Sequence, residues 1–367
     1  MPNARPPATG SPDPAAMICL LDLDAFFCAC EAARDPRLRE RPFCVGGSPD
    51  GRGVVATASY AARAFGVGSA MASAEARRRC PDLVFLRPDI AHYRDVSRRI
   101  WRALQEASPA VEQTGIDEGY LAVPPGEPPE RFAQRLQHTV ARVASVTCSV
   151  GVARVKVAAK IAADQRKPAG ITVVMPGREE AFLAPLAVER LPGVGPKTAA
   201  RLRAADITTI GRLAALTDQD LARLVPGRHG ADLRARARGD DRRAIITDPP
   251  EPIQLSREET YERDIRRFSD LERELGGLAG QVATRLAERS RAGATIVVKL
   301  RYAKDFRTIT RSHTLPAPTQ DGALIAHHAR RLAREALRER PGHLRLLGVG
   351  VAGLVAHWQL VLDDPAI

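Results

Sequence analysis

The apolar run MICLLDLDAFF, residues 17–27, is broken by two carboxylates, Asp22 and Asp24, spaced two residues apart. In an extended strand, residues i and i+2 leave the same face, so a strand read over MICLL ends with two negative charges side by side. Burying neighbouring charges of one sign is costly unless a cation neutralises them. A second break of the same kind lies in GIDEGY, residues 115–120, where Asp117 and Glu118 sit between Ile116 and Tyr120 in a strand pair read over Glu112–Val123. Magnesium needs only one or two protein carboxylates when the phosphates of a substrate supply its remaining oxygens. Two strand-end clusters that converge would suit a pair of ions roughly 4 Å apart, one activating a hydroxyl and one holding the leaving phosphates. Either cluster alone reads equally well as a surface turn. Asp24 reads better as the N-cap of a helix over Phe26–Ala33 than as a metal ligand, whereas Asp22 reads as a ligand.

Three further stretches carry cations. SVGVARVKVAAKIAADQRKPAG, residues 149–170, places Lys156, Lys160 and Lys167 along and just after one helix, where a lysine can meet a triphosphate as a point charge. TASYAARAFGV, residues 57–67, puts Tyr60 and Arg63 one helical turn apart, within reach of one anion. Both sets read equally as solvated helix faces. LPGVGPKTAARL, residues 191–202, has the Gly193 and Gly195 turn and the following helix, with Lys197, of a helix-hairpin-helix, whose exposed N–H groups bind a DNA phosphate without reading sequence. A plain glycine-rich helical turn is the alternative. Arg257, Arg301, Lys304 and Arg311 lie on or beside strands expected late in the chain and could track a nucleic-acid backbone.

Composition narrows the partner. The 367 residues carry a formal net charge of +12, spread along the chain and not gathered in a tail, which favours a polyanion held through its phosphates. An Arg-rich, Ala-rich composition would produce the same excess. Only 4% of residues are aromatic, too few for a surface that works mainly by stacking on bases. The six cysteines, at 19, 28, 30, 44, 80 and 148, lack the paired spacing of a zinc site or disulfide framework and read as small core residues. No apolar run approaches the ~20 residues of a membrane span and the start lacks a secretory signal, so a cytoplasmic protein is expected.

Periodicity gives an α+β chain. Residues 1–16 read as a disordered leader, 17–175 as a first unit and 176–240 as a helical unit. Within the first unit, Tyr93–Ala107 is read as a helix with Val96, Ile100, Trp101 and Leu104 on one face. Residues 241–252 (DRRAIITDPPEP) read as an exposed tether, 253–358 as a small α+β module and 359–367 as a tail.

D-x-D-x-F-F, T-A-x-Y-x-A-R-x-F-G-V, x-I-D-E-x-Y and V-K-x-x-A-K-I-A-x-D-x-x-K-P-x-G, in this order and at these spacings, resemble the Y-family translesion polymerases of the bacterial DinB (DNA polymerase IV) branch. The resemblance implies a right-hand fold: palm and fingers over 17–175, a thumb with helix-hairpin-helix over 176–240 and a little finger over 253–358. It implies low-fidelity, template-directed DNA synthesis past damaged bases. Two Mg2+ would be held by Asp22, Asp117, Glu118 and the main-chain carbonyl of Leu23, with Mn2+ as a substitute. Phe26, Phe27, Tyr60, Arg63 and Lys167 would hold the nucleotide, with Phe27 as a steric gate against the ribose 2′-hydroxyl; a plain core aromatic is the alternative for Phe27. Gly193, Gly195, Lys197, Arg257, Arg301 and Arg311 would contact primer-template DNA. Gln359, Leu360 and Leu362 would dock a monomeric enzyme on the sliding clamp, although QLVLDD reads nearly as well as a terminal strand. Gly115 and Gly119 stand where the family more often has Ser and Ala and are expected to loosen the site. A catalytically silent DNA-binding scaffold of the same fold is the alternative reading.

Overall fold

The structure, a computed structural model, describes residues 16–356. The leader up to residue 15 and the tail at 359–367 lie outside the described residues.

The first unit begins with β1 (Ile18–Leu23) and α1 (Phe26–Arg34), followed by β2 (Phe43–Gly46), β3 (Val55–Ala58), α2 (Tyr60–Arg63), α3 (Ser73–Arg79) and β4 (Val84–Leu86). Then come α4 (Ile90–Ala107), β5 (Val111–Gln113), β6 (Glu118–Ala122), α5 (Pro129–Ala144), β7 (Cys148–Ala153), α6 (Lys156–Ala163) and β8 (Ile171–Val173). Five strands form one sheet in the order β5-β6-β1-β7-β8, and β2, β3 and β4 form a separate small sheet. The central strand β1 alternates between two cores, as its period of two requires. Cys19, Leu21 and Leu23 join Phe26, Tyr93, Ile100, Trp101, Phe132 and Leu136 on the face covered by α1, α4 and α5. Leu20 joins Tyr120 and the alanines 158, 159, 162 and 163 of α6 on the other. That helix lies so close that a Cβ on Gly151 would come within 2.1 Å of the Ala159 carbonyl oxygen, so glycine there sets the packing distance. The six cysteines are free and buried, as expected of core residues.

The opposite side of α6, through Val157 and Ile161, enters the core of a helical cluster made of α7 (Glu179–Leu183), α8 (Pro196–Ala204), α9 (Ile210–Ala214), α10 (Asp218–Leu224) and α11 (Arg228–Ala237). One helix thus serves two cores.

The stretch 241–252 departs from the expected free tether. Asp241 is 8% exposed and accepts hydrogen bonds from the Val157 amide (2.9 Å) and the Arg243 guanidinium (2.7 Å). The Ile246 amide donates to Glu112 (2.6 Å), so the chain stays on the sheet until the compact units part between Pro249 and Pro250. Burial alone would push the Asp241 carboxyl up, but Arg243 and the Val157 amide hold it below the usual carboxylate range. A depressed folded-state pKa stabilises above the unfolded value and loses that contribution as the pH falls through the folded one. Asp241→Ala is therefore expected to cost about 2 kcal/mol at pH 7, and the difference from the parent in melting temperature should shrink as the pH is lowered below about 4. Equal melting temperatures at pH 7 would remove this anchor.

The second unit, residues 250–367 in extent, holds β9 (Gln254–Ile265), α12 (Phe268–Glu288), β10 (Arg291–Tyr302), β11 (Thr308–Thr319), α13 (Gly322–Glu339) and β12 (Leu344–Ala356). Its sheet runs β11-β10-β12-β9, with Ile296, Val298, Leu300, Leu347, Val349 and Val351 packed against both helices. Among the described residues, no helix of this unit covers the opposite face.

Candidate active site

Antiparallel pairing of β1 with β6 sets Asp22 opposite Glu118 and Leu20 opposite Tyr120, while the Leu23 amide donates to the Asp117 carbonyl oxygen at 2.8 Å. The two acidic clusters, remote in sequence, therefore meet at one end of the central sheet. Asp22 continues the face of Ile18 and Leu20. Where the alanines of α6 stop covering that face, the apolar side chains give way to carboxylates.

The electrostatics are those of crowded negative charge. Burial pushes the Asp22 carboxyl up to about 6, with Lys167 opposing and Asp117 and Asp164 adding to the rise. Asp117 is likewise raised, by burial first and by Glu118 as a neighbour. Two ammonium groups partly compensate: Lys167 Nζ lies 2.7 Å from Asp22 and 2.9 Å from Asp164, and Lys160 Nζ lies 2.6 Å from Glu118. Burial draws the Lys167 ammonium down, yet Asp22 and Asp164 outweigh it and hold the group above its ordinary value.

Among the described residues, no group of three or more His, Cys, Asp or Glu side chains is arranged to hold a metal ion by itself. The donor set is nonetheless all hard oxygen. Carboxylates already turned to cations suit an ion such as Mg2+ that takes its other ligands from phosphate and water.

Several side chains settle away from their expected roles. Asp24 does not cap α1, whose N-cap is the left-handed Ala25 without a side-chain bond. Asp24 is 3% exposed and accepts from Ser149 Oγ (2.7 Å), the Ala169 amide (2.8 Å) and the Tyr60 hydroxyl (3.4 Å). It ties β7, the turn after Lys167 and α2 together. Lys156 is buried, pairs with Glu112 and lies over the Tyr120 ring (4.7 Å), so it is not free to meet a phosphate. The ring of Phe26 is spent on the core, and only its backbone is left for a ligand. Neither Gly115 nor Gly119 uses a left-handed backbone, so the freedom expected of them is not exploited.

Phe27 is half-buried and stacks on Tyr93, centroids 4.5 Å apart and planes 17° from parallel. Tyr93 is itself fully buried and donates to Glu31 at 2.6 Å, which backs the Phe27 ring with a rigid wall. Arg63 lies over the Tyr60 ring at 4.6 Å and donates to the Ala58 carbonyl oxygen, an exposed cation held in place. At residues 191–202, Val194 is buried while Gly193, Gly195 and Lys197 are exposed, and Gly193 has φ 104°, a conformation that favours glycine.

In the second unit the arginines divide between faces. Arg257 and Arg311 share the cross-strand row of Val349 and Val298 and bond Gln281 of α12 and Glu339 of α13, respectively. Arg301 faces the open side, where it donates to Thr308 at 2.9 Å. Beside it stand Thr310, Ser312 and Thr314, a row of hydroxyls that the alternation in TITRSHT announces and that a reading of the cations alone does not include.

A strand-end carboxylate cluster on a mixed sheet, a small second sheet, a helical cluster and a separate sheet-and-helix unit define a right-hand polymerase. Models of the impB/mucB/samB family match residues 21–164, its C-terminal domain 252–362 and the family HHH motif 176–207. The chain is 41% identical over 345 residues to DNA polymerase IV of Streptomyces coelicolor, covering 92% of this chain and 71% of that one. It is 42% identical to DNA polymerase IV of Ralstonia nicotianae, covering 90% and 92%. The fold is similar to a chimera of the Y-family DNA polymerases Dbh and Dpo4, with TM-score 0.83 and 23% identity, and to an insertion ternary complex of Dbh DNA polymerase, with TM-score 0.64 and 24% identity; each likeness covers 92% of this chain and 99% of the other. The chain belongs to the impB/mucB/samB family, the Y-family translesion polymerases, alongside the DNA polymerase IV enzymes, and is a DNA-directed DNA polymerase. A silent scaffold is not favoured. No helix among the described residues is long and apolar enough to cross a membrane.

Proposed function

We propose that Asp22, Asp117 and Glu118 hold two Mg2+ ions at the end of the central sheet, with the Leu23 carbonyl as a further ligand and Mn2+ as a substitute. The observation that carries this reading is the register of Asp22 against Glu118, with Asp117 bonded through its backbone to Leu23. Bound metal would lower the pKa of the primer 3′-hydroxyl and neutralise the departing pyrophosphate. The chain itself orients the reactants. Lys167, Tyr60 and Arg63 receive the triphosphate of a deoxynucleotide, Lys160 holds Glu118 in place, and Phe27, backed by Tyr93, closes the space a ribose 2′-hydroxyl would enter.

Residues 17–175 act as palm and fingers and 176–240 as thumb, with Gly193, Gly195 and Lys197 receiving a DNA phosphate. In the little finger, Arg301 and its hydroxyl neighbours meet the template backbone on the open face, while Arg257 and Arg311 act from its margins. The enzyme works as a cytoplasmic monomer that bypasses damaged bases and reaches the sliding clamp through Gln359, Leu360 and Leu362.

Primer extension opposite an intact base and opposite an abasic site tests this. Activity should vanish with a chelator and return with excess Mg2+ or Mn2+. Extension that persists in the chelator would overturn the two-metal reading.

A further inference from the structure

The acidic turn is gripped from behind by a helix that takes no part in the chemistry. Ser97 and Trp101, four residues apart on one face of α4, both donate to the Ile116 carbonyl oxygen, at 2.5 Å and 3.3 Å. Ile116 immediately precedes Asp117 and Glu118. The indole also fills the place of a missing side chain: a Cβ on Gly119 would lie 2.5 Å from Trp101 Cη2, 2.9 Å from Cζ3 and 2.6 Å from the Glu112 carbonyl oxygen. Gly119 and Trp101 are both buried, and Gly119 pairs with Leu21 one step from the Asp22–Glu118 pair. The ring therefore touches the carboxylate turn on both sides, at Ile116 before the acidic pair and at Gly119 after it.

We infer that Trp101 is a positioning residue for Asp117 and Glu118, and that it works as one unit with Gly119: the ring of α4 stands in for the methyl group that β6 lacks. The inference rests on the reading that these carboxylates hold the metal ions. A rigid, fully packed ring with a fixed hydrogen bond restricts the turn more than an alanine methyl would. That restriction matters because an active site held an ångström out of place can lose on the order of 10²-fold in rate. The glycine expected to loosen the site is thus the feature that lets the tryptophan tighten it.

Single-nucleotide incorporation by the full chain, titrated with Mg2+, tests this. In Gly119→Ala, whose methyl must displace the indole, kcat is expected to fall about tenfold and the half-saturating Mg2+ concentration to rise several-fold, with primer-template Kd within about twofold of the parent. Trp101→Met, which leaves Gly119 uncovered, should show the same pattern. The double variant Trp101→Met/Gly119→Ala removes the contact between methyl and ring but leaves the methyl against the Glu112 carbonyl oxygen, so it should recover part of the loss, with both quantities closer to the parent than in Gly119→Ala alone.

The inference is overturned if the single variants lose melting temperature while kcat and the Mg2+ midpoint stay put. It is equally overturned if the double variant is no better than Gly119→Ala in either quantity. Glu118→Ala in the same assay separates the two levels. If that variant still extends primers, the metal-site reading falls; if it is inert while the Trp101 and Gly119 variants match the parent, only the positioning role falls.

Discussion

Asp117→Ala and Glu118→Ala are each expected to lower primer extension by on the order of 10³-fold or more, with primer-template affinity within about twofold of the parent. On the two-metal reading, the loss is large because a ligand would be removed from ions that meet charge present only while the phosphoryl group is in transfer. Affinity should survive because, on the same reading, DNA is held by cations spread over other elements. Stability is the informative control. Burial and Glu118 already raise the Asp117 carboxyl, so its ionised form is a cost to the fold at neutral pH, and its removal should leave the melting temperature unchanged or higher. Extension at the parental rate by either variant, measured by single-turnover incorporation, would show that the carboxylates do not serve the reaction.

The second large effect is expected at Phe27. Its ring cannot retreat, because Tyr93 lies parallel behind it at 4.5 Å and is itself pinned to Glu31. Phe27→Ala should therefore lower the preference for deoxynucleotides over ribonucleotides by on the order of 10²-fold, the scale on which an apolar pocket discriminates a single hydroxyl. Incorporation of deoxynucleotides should change far less. Undiminished exclusion of ribonucleotides by Phe27→Ala would take the gate away from this residue. Tyr93→Phe makes a useful companion: it keeps the stacked ring, loses the bond to Glu31, and should weaken discrimination only slightly.

Where side-chain alternation or a helical period spans several residues, the chain could be read directly. Helix α1 begins at Phe26 as read from periodicity and runs one residue beyond Ala33, and α4 begins three residues earlier than read, at Ile90. The strands Val84–Leu86 and Ile171–Val173, three residues each, escaped because so short a run carries no period. The candidate carboxylates were legible for a simpler reason: an acidic residue inside an apolar strand conflicts with burial, and such conflicts are visible without coordinates.

The roles of Asp24, Lys156 and Asp241 were not legible. Each is a charged residue whose partner lies far away in the chain: Asp24 bonds Ser149 and Ala169, Lys156 bonds Glu112, and Asp241 bonds the Val157 amide. A carboxylate or ammonium looks the same in sequence whether it meets solvent, a metal or a buried amide. Read alone, the sequence determined the longer periodic elements, the two acidic clusters and the family, all of which follow from local pattern and spacing. Only the tertiary structure decided which charges are satisfied by other parts of the chain, and that the space left by Gly119 is occupied by Trp101. Those outcomes depend on contacts between residues remote in sequence, whose energies no local pattern contains.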